Sequence, residues 1–130
     1  MTRNILLIEF PWGRDKDPRV PLGHASILAM LRAMPEIQCQ SFVKPINAPD
    51  FQLDDVKKEI LSKLSKLGEN TDIAIGVYVW CEDVIKSILT SLRSNNFGGR
   101  IILGGPQISY SESGLESFYP EADIFVRGYG

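Results

Sequence analysis

The residue types best suited to chemistry in this 130-residue sequence are one histidine and two cysteines. His24 stands at the start of a predicted helix, without a second histidine or a carboxylate at metal-ligand spacing. We therefore interpret it as a capping or surface residue rather than a ligand. A single histidine also excludes most histidine-based metal sites made by this chain alone. Cys39 and Cys81 show no metal-ligand spacing either, which favours the reduced thiols of a cytoplasmic protein.

Two further side chains, Trp12 and Trp80, follow predicted strands and would share one edge of a sheet with Cys81. An exposed indole needs more explanation than a buried one, so the two tryptophans favour a ligand or partner surface at this edge. Cys81 would be reactive if the helix that follows it lowered the pKa of the thiol. We interpret it instead as an inert, half-buried thiol.

The segment 101–107 (IILGGPQ) joins three β-forming residues to a Gly-Gly-Pro turn. Its uninterrupted apolar run predicts a strand buried on both faces, as in a parallel sheet covered by helices. Such sheets bind ligands at the carboxyl ends of their strands. Gly104 and Gly105 at this place indicate either close approach of a ligand to the backbone or only the geometry of the turn, and both interpretations stay open.

The same edge lacks the motifs of several common α/β ligand sites. Gly13 and Gly23 stand too far apart to form a dinucleotide-binding turn, and no Gly-Lys-Ser/Thr phosphate loop occurs. A phosphoacceptor aspartate is missing from the end of the third strand, where residues 78–80 read YVW, and only Glu9 lies near the end of the first strand. No residue is therefore predicted to be catalytic.

The composition is ordinary for a globular domain of this length, with 44% hydrophobic and 23% charged residues. The formal net charge of −2 argues against a nucleic-acid or anionic-membrane surface. No apolar run approaches the ~20 residues of a membrane span, and the first residues lack a secretory signal pattern. We expect one domain over residues 1–130, located in the cytoplasm.

Strand-like and helix-like segments alternate along the chain. The predicted strands are 4–10, 37–43, 72–79, 101–103 and 123–127. The predicted helices are 25–34, 53–67 and 82–94, with Val84 or Ile85 on the inner face of the third, and a short helix near 115–118 capped by Ser111 or Ser113. The first helix is apolar nearly all round, so it is either packed on both sides or offers a face to something missing.

This alternation demands right-handed crossovers and a parallel sheet. The alternating second strand suits a sheet edge, which gives an α/β three-layer sandwich with the flavodoxin-like strand order 2-1-3-4-5. The loops at its carboxyl edge are 11–23, 79–83, 104–107 and 128–130. The last helix of this fold is missing after the fifth strand, which suggests a fragment or a module completed by another polypeptide.

Five short motifs occur in a set order. They are an Ile-Leu-Leu-Ile-type strand with a proline-containing loop, 21–23 (PLG) opening an Ala/Leu-rich helix, 75–77 (IGV), 102–106 (ILGGP) and 123–130 (DIFVRGYG). Together they resemble the N-terminal cobalamin-binding domain of radical S-adenosylmethionine enzymes, over nearly the whole length of the chain. That family usually ends the last motif in Arg-Gly-Glu-Gly, and Tyr129 replaces the glutamate here.

The resemblance implies that the carboxyl edge of the sheet holds the corrin ring of cobalamin and receives its nucleotide tail. The Asp-x-His-x-x-Gly pattern of mutases and methionine synthase is missing around His24, so we expect no cobalt ligand from this histidine. Water or a nonpolar loop residue would lie below the cobalt. The residues expected to bind the cofactor are Trp12, Pro21, Leu22, Gly23, Val79, Trp80, Cys81, Gly104, Gly105, Pro106, Gln107, Gly128 and Tyr129.

Radical chemistry requires a Cys-x-x-x-Cys-x-x-Cys motif to hold an iron–sulfur cluster and S-adenosylmethionine, and this sequence lacks it. The activity that the resemblance implies, methyl transfer to an unactivated carbon or to phosphorus, would then lie in a radical S-adenosylmethionine domain in cis or in trans. This chain alone is not expected to be catalytic. Two alternatives stay open: a cofactor-free interaction module that pairs with an enzyme subunit, and a domain that binds another flat cofactor such as a flavin.

Overall fold

A computed structural model describes residues 3–13, 22–109 and 114–126 of the chain. Its five strands are β1 Arg3–Glu9, β2 Ile37–Val43, β3 Thr71–Gly76, β4 Ile101–Gly104 and β5 Ile124–Phe125. The helices are α1 Leu22–Arg32, α2 Leu53–Leu67, α3 Glu82–Ser94 and two single turns, α4 Pro106–Ser109 and α5 Leu115–Phe118. All paired strands are parallel, in the order β2-β1-β3-β4-β5. The predicted flavodoxin-like α/β arrangement is confirmed.

The main hydrophobic core fills the space between one face of the sheet and helices α2 and α3. Alternate strand residues point into this core because successive side chains of a strand lie on opposite faces. On α3, Ile85 rather than Val84 takes the fully buried position. The core strand residues with no exposed surface are Leu6, Ile8, Ile73, Ile101 and Leu103.

The opposite face of the sheet, which we call the α1 face, is covered less evenly. Helix α1 packs on β2 and β1, over a row of register partners that includes Leu7 and Ser41. The same row continues through Ala74 and Ile102, which are half-buried, to Ile124, which is exposed. On α1 itself, Met30 is 58% exposed. The sequence left open whether this apolar helix is packed on both sides or has a face free to contact another molecule. The structure favours the second alternative.

Several element ends differ from the predictions. Strand β3 ends at Gly76, and Val79–Cys81 forms a 3-10 turn, because the pairing of β3 with β4 stops at the Gly76–Gly104 pair. Within the described residues, strand β5 comprises only Ile124–Phe125, because its pairing with β4 covers the two pairs Ile102–Ile124 and Leu103–Phe125. The predicted caps at 111 and 113 lie outside the described residues, and Gly114 occupies the N-cap position of α5. No helix among the described residues is long and apolar enough to cross a membrane.

Candidate functional site

The carboxyl edge of the sheet brings together the segments that follow β1, β3 and β4. The indole N–H of Trp80 donates a hydrogen bond of 2.9 Å to the carbonyl of Phe10, just after β1. Between β3 and β4, the N–H of Val77 donates to the Gly104 carbonyl at 2.8 Å, and the N–H of Gln107 donates to the Val77 carbonyl at 3.2 Å. These bonds fix the three segments relative to one another.

The structure places most of the predicted site residues at this edge. Leu22 and Gly23 form the first turn of α1, and Pro106 and Gln107 begin α4. Pro21, Gly128 and Tyr129 lie outside the described residues. Gly104 is the last residue of β4, and the remaining predicted residues of the described chain follow β1, β3 or β4: Trp12, Val79, Trp80, Cys81 and Gly105.

Large apolar side chains are exposed at this edge. Val79 is 70% exposed, Trp12 56% and Trp80 42%. Trp80 also stacks on Tyr78, with ring centroids 4.8 Å apart and an interplanar angle of 2°. Exposed apolar side chains that adjoin one another are more typical of binding surfaces than isolated ones are, so the Val79–Trp80 corner has the character of a binding surface.

The two adjacent glycines of the turn after β4 have different roles. Gly105 has a φ of +94°, and a Cβ there would lie 2.8 Å from the backbone N and O of Val77. The geometry of the turn therefore requires a glycine at position 105. A Cβ on Gly104 would meet nothing closer than Val126, at 3.7 Å. Close approach of a ligand to the backbone thus stays a prediction at Gly104, while turn geometry explains Gly105.

Glycines also leave a strip of the α1 face without side chains. Glu9, Gly76 and Gly104 are register partners across β1, β3 and β4. A Cβ on Gly76 would lie 3.4 Å from Oε1 of Glu9. The Tyr78 ring lies 3.7 Å from the same position, so Glu9 and Tyr78 cover Gly76, whereas Gly104 has only Val126 beside it among the described residues.

A buried polar cluster, absent from the predicted site, lies at the β1 end of this strip. Glu9 and His24 are each 4% exposed. The Tyr78 hydroxyl donates a short hydrogen bond to Oε1 of Glu9, and Nδ1 of His24 lies 3.5 Å from Oε2. Nε2 of His24 is 2.6 Å from Oγ of Ser41. The prediction that His24 is a capping or surface residue is therefore wrong, because α1 lays it against the sheet.

Burial decides the protonation of this cluster. It raises the pKa of Glu9, although the hydrogen bond from Tyr78 acts in the opposite direction. It lowers the pKa of His24. Burial, together with the Glu9 carboxylate, raises the pKa of Tyr78. Each shift favours the neutral form of its group, as expected where no cation compensates a buried carboxylate.

Cys81 is an inert thiol. It is fully buried, and burial raises its pKa. Its sulfur exchanges hydrogen bonds of 3.4 Å with the backbone of Tyr78, so its role is to shape the turn after β3. Cys39 is likewise free and buried, with a raised pKa. Burial is more complete than the half-buried state predicted for Cys81.

One sequence signal pointed toward the missed cluster: Glu9 is the only charged residue in the run Ile5–Phe10, at the end of a strand buried on both faces. Finding its partners required the tertiary structure, because Tyr78 is 69 positions away.

Within the described chain, no group of three or more His, Cys, Asp or Glu side chains could hold a metal ion. No family model matches the sequence, and no curated protein matches it significantly.

Proposed function

We propose that this chain is a cobalamin-binding module of a radical S-adenosylmethionine methyltransferase-like protein, acting in the cytoplasm. The ordered motifs that resemble such domains motivate the proposal. The observation that carries it is Gly104, which adds no side chain to the α1 face, beside the exposed Val79–Trp80 corner. A broad macrocycle with a nucleotide tail requires both an apolar surface and an adjacent stretch of sheet without side chains.

The residues present fit such a group. Val79 and Trp80 would contact the corrin ring, and Gly104 would let the tail pass next to the backbone, since Val126 is the nearest described residue to its Cβ position, at 3.7 Å. His24 is buried and bonded to Ser41. This supports binding without a histidine ligand below the cobalt. Bound cobalamin would serve as a methyl carrier.

The chain's own residues supply binding rather than catalysis in this proposal. Tyr78 and Trp80 position the corner, and the bonds between Val77, Gly104 and Gln107 hold the neighbouring turn. The iron–sulfur cluster and S-adenosylmethionine would belong to a radical S-adenosylmethionine domain in the same polypeptide or in a partner protein.

The test is to mix the protein with hydroxocobalamin, remove free ligand by desalting, and record the absorption spectrum. We expect a corrin spectrum in the protein fraction, and a colourless fraction would contradict the proposal. Flavin absorbance in protein as purified would instead support the flat-cofactor alternative.

A matched pair of variants locates the site. The Gly104→Leu variant should retain much less cobalamin after desalting than the wild type does, because the leucine side chain would occupy the binding place. Gly98→Leu, in the loop before β4 with nothing within 4 Å of its Cβ position, should bind as the wild type does. Equal retention by both variants would exclude the strip as the binding place.

A cofactor-free interaction module is the second candidate. It is favoured by exposed apolar residues along β5 and α5: Phe118 is 42%, Ile124 37% and Val126 45% exposed. Co-purification with a partner that carries a Cys-x-x-x-Cys-x-x-Cys motif, without bound corrin, would select this alternative over the first.

A further inference from the structure

The Glu9 cluster contains an oxygen without a hydrogen bond. Oε2 of Glu9 is buried and has no hydrogen-bond partner among the described residues. Nδ1 of His24 lies 3.5 Å from it. A buried carboxylate oxygen without a donor is costly, and a proton placed between Oε2 and Nδ1 removes that cost.

Among the described residues, the groups that face this carboxyl come from three elements. Helix α1 contributes His24, and the segment after β3 contributes Tyr78 and the Cys81 thiol. Strand β3 contributes Gly76, which has no side chain. None of these groups is a permanent cation, so the proton content of Glu9 and His24 decides the charge of the cluster.

We propose that Glu9 and His24 form a proton-coupled pair whose deprotonation switches the tautomer of His24, and that Tyr78 transmits this change to Trp80 at the carboxyl edge. These residues are positioning residues for the exposed Val79–Trp80 corner. The link to ligand binding rests on the proposed function, whereas the tautomer switch does not.

The two states differ by one proton. In the protonated state, Oε2–H of Glu9 donates to Nδ1 of a neutral His24, whose Nε2–H donates to Oγ of Ser41. On deprotonation, the Oε2–H bond breaks and Nδ1–H forms, while the Nε2 proton leaves to solvent past the half-buried Ser41 hydroxyl. The Ser41 hydroxyl then donates to Nε2. The imidazole stays neutral in both states, and the negative charge remains on Glu9.

The cluster reaches the edge through two contacts of Tyr78. Its hydroxyl donates to Glu9, and its ring stacks on Trp80. The bond from Tyr78 strengthens when Glu9 becomes a carboxylate, because hydrogen bonds to charged acceptors are shorter and stronger. Deprotonation should therefore hold Tyr78 and Trp80 more firmly.

The test uses His24 as a built-in probe, since it is the only histidine of the chain. Nitrogen NMR of the ring is recorded between about pH 5 and about pH 8. We expect the Nε2–H form to give way to the Nδ1–H form, with a midpoint above the ordinary glutamate pKa of 4.5 and no cationic ring. Glu9→Gln keeps both hydrogen-bond positions, and its amide donates to Nδ1, so the Nε2–H form should persist at every pH.

The indole N–H resonance of Trp80 reports the transmission step. It should shift with the same midpoint in the wild type and stay constant in Glu9→Gln. Tyr78→Phe should abolish the shift while the tautomer change remains. Tyr119→Phe is the matched control, because this buried tyrosine lies outside the cluster and its hydroxyl has no hydrogen-bond partner in the described chain. It should behave as the wild type does.

Three results would overturn the inference. They are a cationic His24 ring titrating near the ordinary pKa of 6.5, a tautomer that stays the same in the wild type at every pH, and a Trp80 shift that survives in Tyr78→Phe. In wild-type protein that binds hydroxocobalamin, affinity should rise about fivefold as Glu9 loses its proton and stay constant in Glu9→Gln. Wild-type protein that fails to bind it contradicts the proposed function alone, and the NMR results still decide the proton switch.

Discussion

Two buried carboxyl groups lie on the α1 face at opposite ends of the sheet, and their surroundings differ. Asp72, at the amino end of β3 and 1% exposed, is bonded by Arg3 at 2.7 and 2.8 Å. It also accepts the side chain and the backbone N–H of Arg100 at 3.0 and 3.1 Å. Glu9, at the carboxyl end of β1, has the Tyr78 hydroxyl as a donor and the His24 ring as a neighbour instead.

The consequence is opposite pKa shifts. The Arg3 and Arg100 guanidinium groups hold the pKa of Asp72 well below its ordinary value of 3.8. Burial raises the pKa of Glu9. Saturated ion pairs of the first kind join elements of a fold, whereas an incompletely paired carboxyl next to an exposed surface is typical of functional sites. The amino edge is thus built for stability, and the carboxyl edge keeps a group that can change its charge.

Breaking the amino-edge cluster should have the largest effect. Asp72→Ala removes the acceptor of four hydrogen bonds and should lower the free energy of unfolding by about 3 kcal/mol. Chemical denaturation followed by circular dichroism measures this change. Asp50→Ala, which breaks the exposed pair with Lys44, is the control and should leave the denaturation midpoint nearly unchanged. An equally small effect at Asp72 would contradict a structural role for the cluster.

Removing the charge of Glu9 at the carboxyl edge should raise the free energy of unfolding, whereas removing Asp72 lowers it. A raised native pKa means that Glu9 contributes stability at low pH, which is lost as the pH rises through its native value. Glu9→Gln should therefore be more stable than the wild type at pH values above that point, by about 1.5 kcal/mol. Denaturation at a series of pH values tests the sign. For Asp72 the slope is reversed, because its contribution is lost as the pH falls below 3.8.

The smallest expected change in stability distinguishes Tyr78, whose hydroxyl donates a hydrogen bond, from Tyr119, whose hydroxyl has no partner among the described residues. Tyr78→Phe removes the donor to Glu9 and should cost about 1 kcal/mol where Glu9 is ionised, with less cost where Glu9 is protonated. Tyr119→Phe removes a buried hydroxyl without a partner among the described residues and should cost nothing or stabilise slightly. If the two variants lose equal stability at every pH, the Tyr78 hydroxyl does not depend on the charge of Glu9.

The sequence by itself determined the architecture. Apolar runs bounded by glycine and proline located four strands, and the alternation of apolar and polar residues located β2. The bounds of β2 and α2 were predicted to the residue. Both signals are local, because burial on two faces or on one helical stripe imprints a period on consecutive residues. The strand order followed from the rule that alternating strands and helices form parallel sheets with right-handed crossovers.

Where elements end and which side chains meet was decided only by the tertiary structure. The stop of β3 at Gly76 depends on where its pairing with β4 ends, and the start of β5 at Ile124 depends on where its own pairing with β4 begins. The same holds for the carboxyl edge, where Glu9, His24 and Tyr78 come from three separate elements. Their burial and pKa shifts arise from the packing of α1 and of the turn after β3 against the sheet. No spacing in the sequence encodes that contact, because it depends on the position of whole elements in space.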